Sequence, residues 1–495
     1  MRKLLFLLAP TVFFSMACNN QGKKEGESEK RQTPFDLFTP VKPDFTTTTV
    51  ILPEGWKYEV LFSEKKDSVK KADGSKHPAK GMHDFTAYIP LEGSNIHGYL
   101  YVNHETGGRN DNLGDGGGGT IFEVELHDGR WQVIGDFRHI DFSTVGGTLR
   151  NCGGTVTPQK TILTAEEAEP ENNKALHPLI RDTSDYNGMK RYLNYGWMVE
   201  VDPFSGKAMR KIYAMGRFQH EDAYCDPDGR TVYLTDDNNP AVFFKFIAAA
   251  PGDYSSGQLY AYRQSDDGAS GEWLALPMTM DSLVKIRNVA IRMGATLFIR
   301  HEWIDGTDGK IFITETGSDY FDWTQPIAMG GKPANYFDKL KKEENKYADL
   351  YGRILVFDAA ANKMRVFLEG GTSPADSTLN FANPDGLCIQ SLGGKNYLVI
   401  SEDLNGISSN RVSRQAFDKG ETYNEIYFLE LSTEHPTLDD LHRFMAAPRG
   451  CETTGSSFTP DGSSYFVSIQ HPDEANPEPF NTSAVIAIVF NKPVM

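Results

Sequence analysis

The sequence predicts an all-β chain folded as a six-bladed β-propeller with long loop insertions, and three observations carry that prediction. Short alternating apolar strands recur six times and end at residues 105, 167, 237, 315, 403 and 471. Their spacing suits a four-stranded blade plus one elaborated loop per repeat. Tight-turn sequences, Asp226-Pro227-Asp228-Gly229 and Thr459-Pro460-Asp461-Gly462, sit just ahead of two of these strands. Proline at the second and glycine at the fourth turn position suit a hairpin turn. Helical periodicity is scarce between the repeats.

From the N-terminus, residues 1–17 read as a lipoprotein signal. Arg2 and Lys3 precede an apolar run over 4–14 that is too short to span a bilayer. Ser15-Met16-Ala17-Cys18 resembles a lipobox, so Cys18 is the expected lipidation site. Residues 18–44 follow as a polar tether, and 45–495 are expected to form one propeller domain. No later segment is long and apolar enough to cross a membrane. The protein is therefore expected to be exported, monomeric and anchored to a bacterial outer membrane only through its lipid. With 50 Lys plus Arg against 67 Asp plus Glu, the net charge of −17 argues against nucleic-acid binding.

The hairpins also place acids. Glu221 and Asp236 lie at similar distances either side of the turn at 226–229, so both reach the hairpin's open end. Glu452 and His471 do so around 459–462, and Cys152 with Glu166 and Glu167 around 158–160. Glu302 and Glu315 flank 305–309, and Asp385 and Glu402 flank 394–396. Equivalent strands of a propeller run the same way about its axis, so these ends are predicted to converge on one mouth. Carboxylates gathered there, with Arg300 as the evident cation, repel one another unless something neutralises them. Oxygen donors suit calcium, and a Cys152 thiolate adds a preference for a transition metal. Strand alternation turns one acid of each pair away, and Asp222, Asp237 and Asp403 are read as the weaker members. Cys152, Cys225, Cys388 and Cys451 allow two disulfides, in three connectivities, or buried thiols. The glycine-rich run 115–119 follows no strand-to-helix switch and is read as a loop.

On these residues the chain resembles the PhoX family of bacterial alkaline phosphatases. The matching segments are Asn103-His104-Glu105, Asn151-Cys152-Gly153-Gly154 with Thr157-Pro158, and Leu163-Thr164-Ala165-Glu166-Glu167. Further along come Gly216-Arg217-Phe218-Gln219-His220-Glu221, Arg300-His301-Glu302, Asn383-Pro384-Asp385-Gly386, and Glu452-Thr453-Thr454-Gly455 with residues 458–472. The resemblance implies an exported propeller that hydrolyses phosphate monoesters, small-molecule esters being the expected partners. It also implies calcium and a ferric pair with a bridging oxo group in the axial pocket. On it, Cys152 bridges iron, and Glu167 (rather than Glu166), Glu221 and Glu302 are iron or bridging carboxylates. Glu105 is a calcium ligand, and Arg300 holds the phosphate oxygens, for which a planar fork is suited. Cys152, Glu221 and Arg300 are thus the expected catalytic residues. The hairpin geometry adds Asp236, Glu315, Asp385, Glu402 and Glu452 as calcium-side or neighbouring candidates.

Two features depart from the family pattern. Gln159-Lys160 stands where the family has Trp-Gly, which is expected to remove an aromatic wall from the pocket. The signal lacks paired arginines, so metals are expected to be acquired after export. Two other readings fit the acids: a calcium-dependent propeller esterase, lactonase or phosphotriesterase, and a non-catalytic surface-binding propeller. Neither requires iron or Cys152.

Overall fold

The computed structural model describes residues 36–44, 46–265, 268, 270–322, 341–343, 346–349, 351–376, 378–403 and 423–490. The signal segment and Cys18 lie outside them. Contacts divide the chain into Met1–Phe38 and Thr39–Met495, and the architecture that follows belongs to the second unit.

Six sheets succeed one another along the chain, antiparallel throughout except where Ser68–Lys70 runs parallel to Arg130–His139. Blade 1 comprises His83–Pro90, His97–His104, Gly119–His127 and Arg130–His139, with Ser68–Lys70 and Lys76–Pro78 outside. Blade 2 comprises Asn151–Val156, Ile162–Glu166, Met198–Asp202 and Lys207–Lys211. Blade 3 has five strands, His220–Cys225, Thr231–Asp236, Phe244–Ala250, Asp253–Gln264 and Gly271–Ala275. Blade 4 is His301–Thr307, Lys310–Glu315, Arg353–Asp358 and Lys363–Glu369. Blade 5 is Pro384–Leu392, Lys395–Glu402, Glu425–Glu430 and Leu441–Ala446. Blade 6 is Glu452–Phe458, Ser464–Gln470 and Ala484–Val489, completed on its outer edge by Tyr58–Ser63 from the other end of the chain.

Each sheet packs against its neighbours on both faces, which is why the strands are so uniformly apolar. Successive residues of one strand enter different cores. Ile311 and Ile313 join the cluster around blade 3, while Phe312 between them joins the cluster of blades 1, 2, 4 and 5. Both Pro-Asp-Gly turns form as expected. The Gly229 N–H donates to Asp226 O (2.9 Å) and the Gly462 N–H to Thr459 O (2.8 Å). Asn383-Pro384-Asp385-Gly386 is different, since Pro384 starts the inner strand of blade 5. All four described cysteines are free thiols. Within the stretch expected to be tether, Val41 is already fixed, its N–H donating to Arg443 O (2.8 Å).

One irregularity recurs in every blade and positions the site. The inner strands open on register pairs His83↔His104, Asn151↔Glu166, His220↔Asp236, His301↔Glu315 and Pro384↔Glu402, and each then shifts register. Two inner-strand residues thus oppose one partner, which is a β-bulge that bends the strand and re-aims a side chain. The first residue of each bulge is Asp84, Cys152, Glu221, Glu302 or Asp385. In blade 6 the shift falls between Thr454 and Ser457, leaving Glu452 as the strand's first residue. The residue before the inner strand is left-handed in four blades, at Met82, Arg150, Arg300 and Asn383. Carbonyls of Met82, Arg150, Gln219, Arg300 and Asn383 accept the N–H of Glu105, Glu167, Asp237, Thr316 and Asp403. That contact carries each second strand one residue past its end and into the mouth.

Candidate metal centre

Side chains from adjacent blades meet where the inner strands begin. Donor atoms of Asp84, Glu105 and Cys152 lie within 4.8 Å of one another, as do those of Cys152, Glu167 and Glu221. So do those of Glu221, Asp237 and Glu302, and those of Asp403, Glu452 and His471. Every group joins two neighbouring blades, and Cys152 and Glu221 each belong to two groups. The predicted convergence of Cys152, Glu105, Glu167, Glu221, Glu302 and Glu452 is therefore present in the geometry. Asp385 stands among them, with Glu452, Asp403 and Arg300 acting on its charge.

Cys152 Sγ lies 2.9 Å from both Asp84 Oδ2 and Glu221 Oε1, so its single S–H is offered to one or the other. Burial, then the charges of Asp84, Glu221, Glu105 and Glu167, push its thiol well above the usual range. Burial is also the largest cause at the carboxyls, and at all of them but Asp84 the charge of a neighbouring acid comes next. Asp84 is pushed up to about 6, held back by hydrogen bonds from Cys152 and Thr454. Glu105 is pushed up to about 7 by burial and then by Asp84. Glu167, Glu221, Glu302, Asp385 and Glu452 are driven well above the carboxylate range. Arg300 offers Nε and Nη2 to the two oxygens of Asp237 (2.9 and 3.1 Å), and its Nη2 lies 2.9 Å from Glu302 Oε1. Arg150 Nη1 lies 3.9 Å from Glu105 Oε1 and 3.7 Å from Glu167 Oε2.

Three expected candidates serve another purpose. Asp236 accepts the N–H of Val242 (3.1 Å), and Glu315 that of Ile299 (2.9 Å). Glu402 accepts those of Ala382 (2.9 Å) and Glu425 (3.1 Å). Glu166 is of the same kind, holding the N–H groups of Leu149 and Trp197 and the ammonium of Lys211. Each is the last residue of a second strand, paired across the register with the first inner residue, and stands in none of the four groups. The pocket belongs to the following residue, so Asp237 and Asp403, expected to turn away, face the cluster. Asp222 does turn away, its carboxylate accepting the N–H of Ile304 (3.1 Å).

Asp84 and Arg150 were missed, whereas His471, expected at the open end of its hairpin, does stand with Asp403 and Glu452. A signal for Asp84 exists: His83-Asp84 repeats the His-acid step of His220-Glu221 and His301-Glu302. Those histidines are structural, since burial pushes His83, His220 and His301 down to about 3 and keeps them neutral. The Gln159-Lys160 departure falls at the far end of the blade 2 hairpin from Cys152, beside Gly252 and Tyr254. It removes no wall from the mouth.

The donor chemistry fits cations. Among the described residues no backbone N–H donates to the carboxylates of Glu167, Glu221, Glu302, Asp385 or Glu452, although those of Asp236, Glu315, Glu402, Glu166 and Asp222 do hold such groups. Buried acids at this density, opposed chiefly by Arg300 and Arg150, can all be ionised together only where further positive charge is added, and otherwise hold protons. The two groups that include Cys152 mix sulfur with oxygen and suit a transition metal. Glu221, Asp237 and Glu302 offer oxygen alone and suit a hard cation such as calcium.

Residues 37–473 match the protein family described as alkaline phosphatase PhoX. Among solved structures the chain is similar to Pseudomonas fluorescens PhoX in complex with vanadate, a transition state analogue. Identity is 23%, with 92% of this chain and 98% of that chain covered and a TM-score of 0.70. A lower similarity, with a TM-score of 0.40 and 10% identity, links it to Trypanosoma rangeli sialidase in complex with sialic acid, over 89% of this chain and 60% of that one. No curated protein matches the chain.

Proposed function

The chain belongs to the alkaline phosphatase PhoX family, and from that premise we propose that it is an exported phosphate-monoester hydrolase with calcium and iron in its axial pocket. The observation that carries this reading is the division of donors. One thiol stands at the junction of two mixed groups, and an all-oxygen group adjoins them through Glu221. Cys152, Asp84, Glu105, Glu167 and Glu221 would hold iron, with Glu221, Asp237 and Glu302 on the calcium side. This revises the expectation that placed Glu105 beside calcium and Glu302 beside iron, because Glu105 shares a group with Cys152 and Glu302 does not. Asp385, Asp403, Glu452 and His471 would complete the ring, while Asp236, Glu315 and Glu402 would support it through the backbone.

Bound there, the cations would supply charge to the phosphoryl oxygens and activate an oxygen nucleophile. The chain's own contribution is positional. Arg300, oriented by Asp237, presents a planar fork to developing negative charge, a geometry that an ammonium does not offer. The buried inner-strand ends keep bulk water from the donors and strengthen each electrostatic contact. An esterase or lactonase needing only calcium leaves the placement of Cys152 between two acid groups without a purpose.

The test is p-nitrophenyl phosphate turnover, with and without a calcium chelator, alongside metal analysis of protein purified without its signal segment. Iron plus calcium with chelator-sensitive turnover is the expected result. Calcium alone with no phosphate release would overturn the reading. Residues 1–17 are proposed as the export signal and Cys18 as the lipid-bearing residue, so Cys18→Ser should release the protein from membranes. No helix among the described residues is long and apolar enough to cross a bilayer.

A further inference from the structure

Two arginines, not one, occupy equivalent places at the mouth. Arg300 directly precedes the inner strand of blade 4, and Arg150 that of blade 2. Both hold a left-handed backbone, at φ 46° and 47°, which a long side chain adopts only where its surroundings impose it. Blades 2 and 4 flank blade 3, so the two residues stand on either side of the blade that carries Glu221.

They differ in how they are held. Arg300 is clamped by Asp237 and Glu302. The Arg150 side chain is 49% exposed, and its nearest carboxylates lie at 3.7 and 3.9 Å. Its guanidinium makes no hydrogen bond among the described residues. The cations that hold the fold together look different. Lys211, Arg353 and Arg443 lie 2.9, 2.6 and 2.7 Å from their carboxylates and are at most 5% exposed. Gly107 leaves room beside Arg150, since a Cβ there would lie 3.3 Å from its Nε. A loosely held fork at the rim of an acid-lined mouth is thus placed to meet an anion that enters it.

We propose that Arg150 is a substrate-binding residue that donates to the phosphoryl oxygens from the side opposite Arg300 and favours dianionic monoesters over monoanionic diesters. The inference rests on the phosphatase reading. Cations on Glu105 and Glu167 weaken the pull of those carboxylates on the guanidinium and free its donors for phosphate. Two forks match the three non-bridging oxygens of a monoester. A diester, with two such oxygens and one charge, uses them less well.

The test titrates inorganic phosphate calorimetrically into metal-loaded wild type, Arg150→Ala and Arg150→Lys. On the same preparations kcat and KM are measured for p-nitrophenyl phosphate and bis(p-nitrophenyl) phosphate, and metals are quantified. Arg150→Ala should weaken phosphate binding and raise the monoester KM by on the order of ten-fold or more. The diester KM and kcat should change less, metal content should hold, and lysine should recover part of the affinity. Unchanged phosphate affinity in Arg150→Ala, an equal loss for both esters, or a loss that merely tracks missing metal overturns the inference. Wild type that neither binds phosphate nor cleaves either ester would instead bring down the phosphatase reading and this inference with it.

Discussion

Removing the cations should invert the protein's response to pH. Glu105 is pushed from the ordinary 4.5 up to about 7, chiefly by burial and then by Asp84. A carboxyl whose folded pKa lies above its unfolded one binds more protons when folded. Its contribution is complete below about pH 4.5 and is lost as the pH rises through 7. The difference amounts to about 3 kcal/mol for this one group. Asp84, pushed up to about 6, acts in the same sense but is too close to Glu105 for the two to add. With unfolding entropy near 2 cal/mol/K per residue over the span Thr39–Met495, 3 kcal/mol moves Tm by roughly 3 °C. Chelated protein followed by circular dichroism from pH 5 to 8 should therefore melt lower as the pH rises. Cation-loaded protein should do the opposite, because protons now compete with the metals for the same oxygens. Below pH 4 groups such as Asp136, held at about 2 by Lys70 and Lys76, reverse the trend in the chelated form and reinforce it in the loaded one. A chelated protein whose Tm is flat or rises from pH 5 to 8 would refute the claim that these acids are buried together without compensating charge.

Other substitutions separate chemistry from scaffold. Cys152→Ala and Glu221→Gln should each abolish p-nitrophenyl phosphate turnover while circular dichroism reports an intact propeller, with iron content falling in the first. Glu315→Gln should keep its metals, yet lower the denaturation free energy by about 1–3 kcal/mol, because a buried acceptor of the Ile299 N–H is weakened. Lys211→Met should cost about 3–5 kcal/mol, read from the urea midpoint, by stranding the buried Glu166 carboxylate. Restoring the family pair through Gln159→Trp with Lys160→Gly should leave kcat and KM unchanged, since that turn lies at the hairpin end remote from Cys152.

Six repeats and their turns were legible in the sequence because alternation and Pro-Asp-Gly are local signals. The convergence of their open ends followed from propeller symmetry. What failed was a choice of one residue. Alternation favours Asp236 over Asp237 and Glu402 over Asp403, but the actual arrangement is set by the extra pairing beyond each strand, as where Asp403 N–H reaches Asn383 O. A bulge and a left-handed residue leave almost no trace in a hydrophobic pattern. Asp84 escaped for another reason: it opens blade 1, whose inner strand lacks a marked turn, and only the repeated His-acid step could reveal it. Arg150 was hidden by its neighbour, since Asn151-Cys152 drew the reading toward the thiol.

The strand Tyr58–Ser63 completes blade 6 by pairing with Ala484–Val489, so the earliest strand of the propeller waits for the last. Across the seam between blades 6 and 1, Thr454 donates to Asp84 at 2.6 Å and Gln470 to Glu105 at 3.3 Å. A chain delivered N-terminus first, as in the export route proposed above, cannot assemble this part of the mouth until its final residues have arrived. Until then the acids of blades 1 and 6 face solvent separately and repel little. Closing the ring brings them together, with Asp84 and Glu105 acting on Glu452 across the seam. Cations held on either side of it, by Asp84, Glu105 and Cys152 or by Asp403, Glu452 and His471, would offset that repulsion. Maturation of the enzyme and capture of its metals would then be one event, governed by how much free cation the compartment holds when the last strand docks.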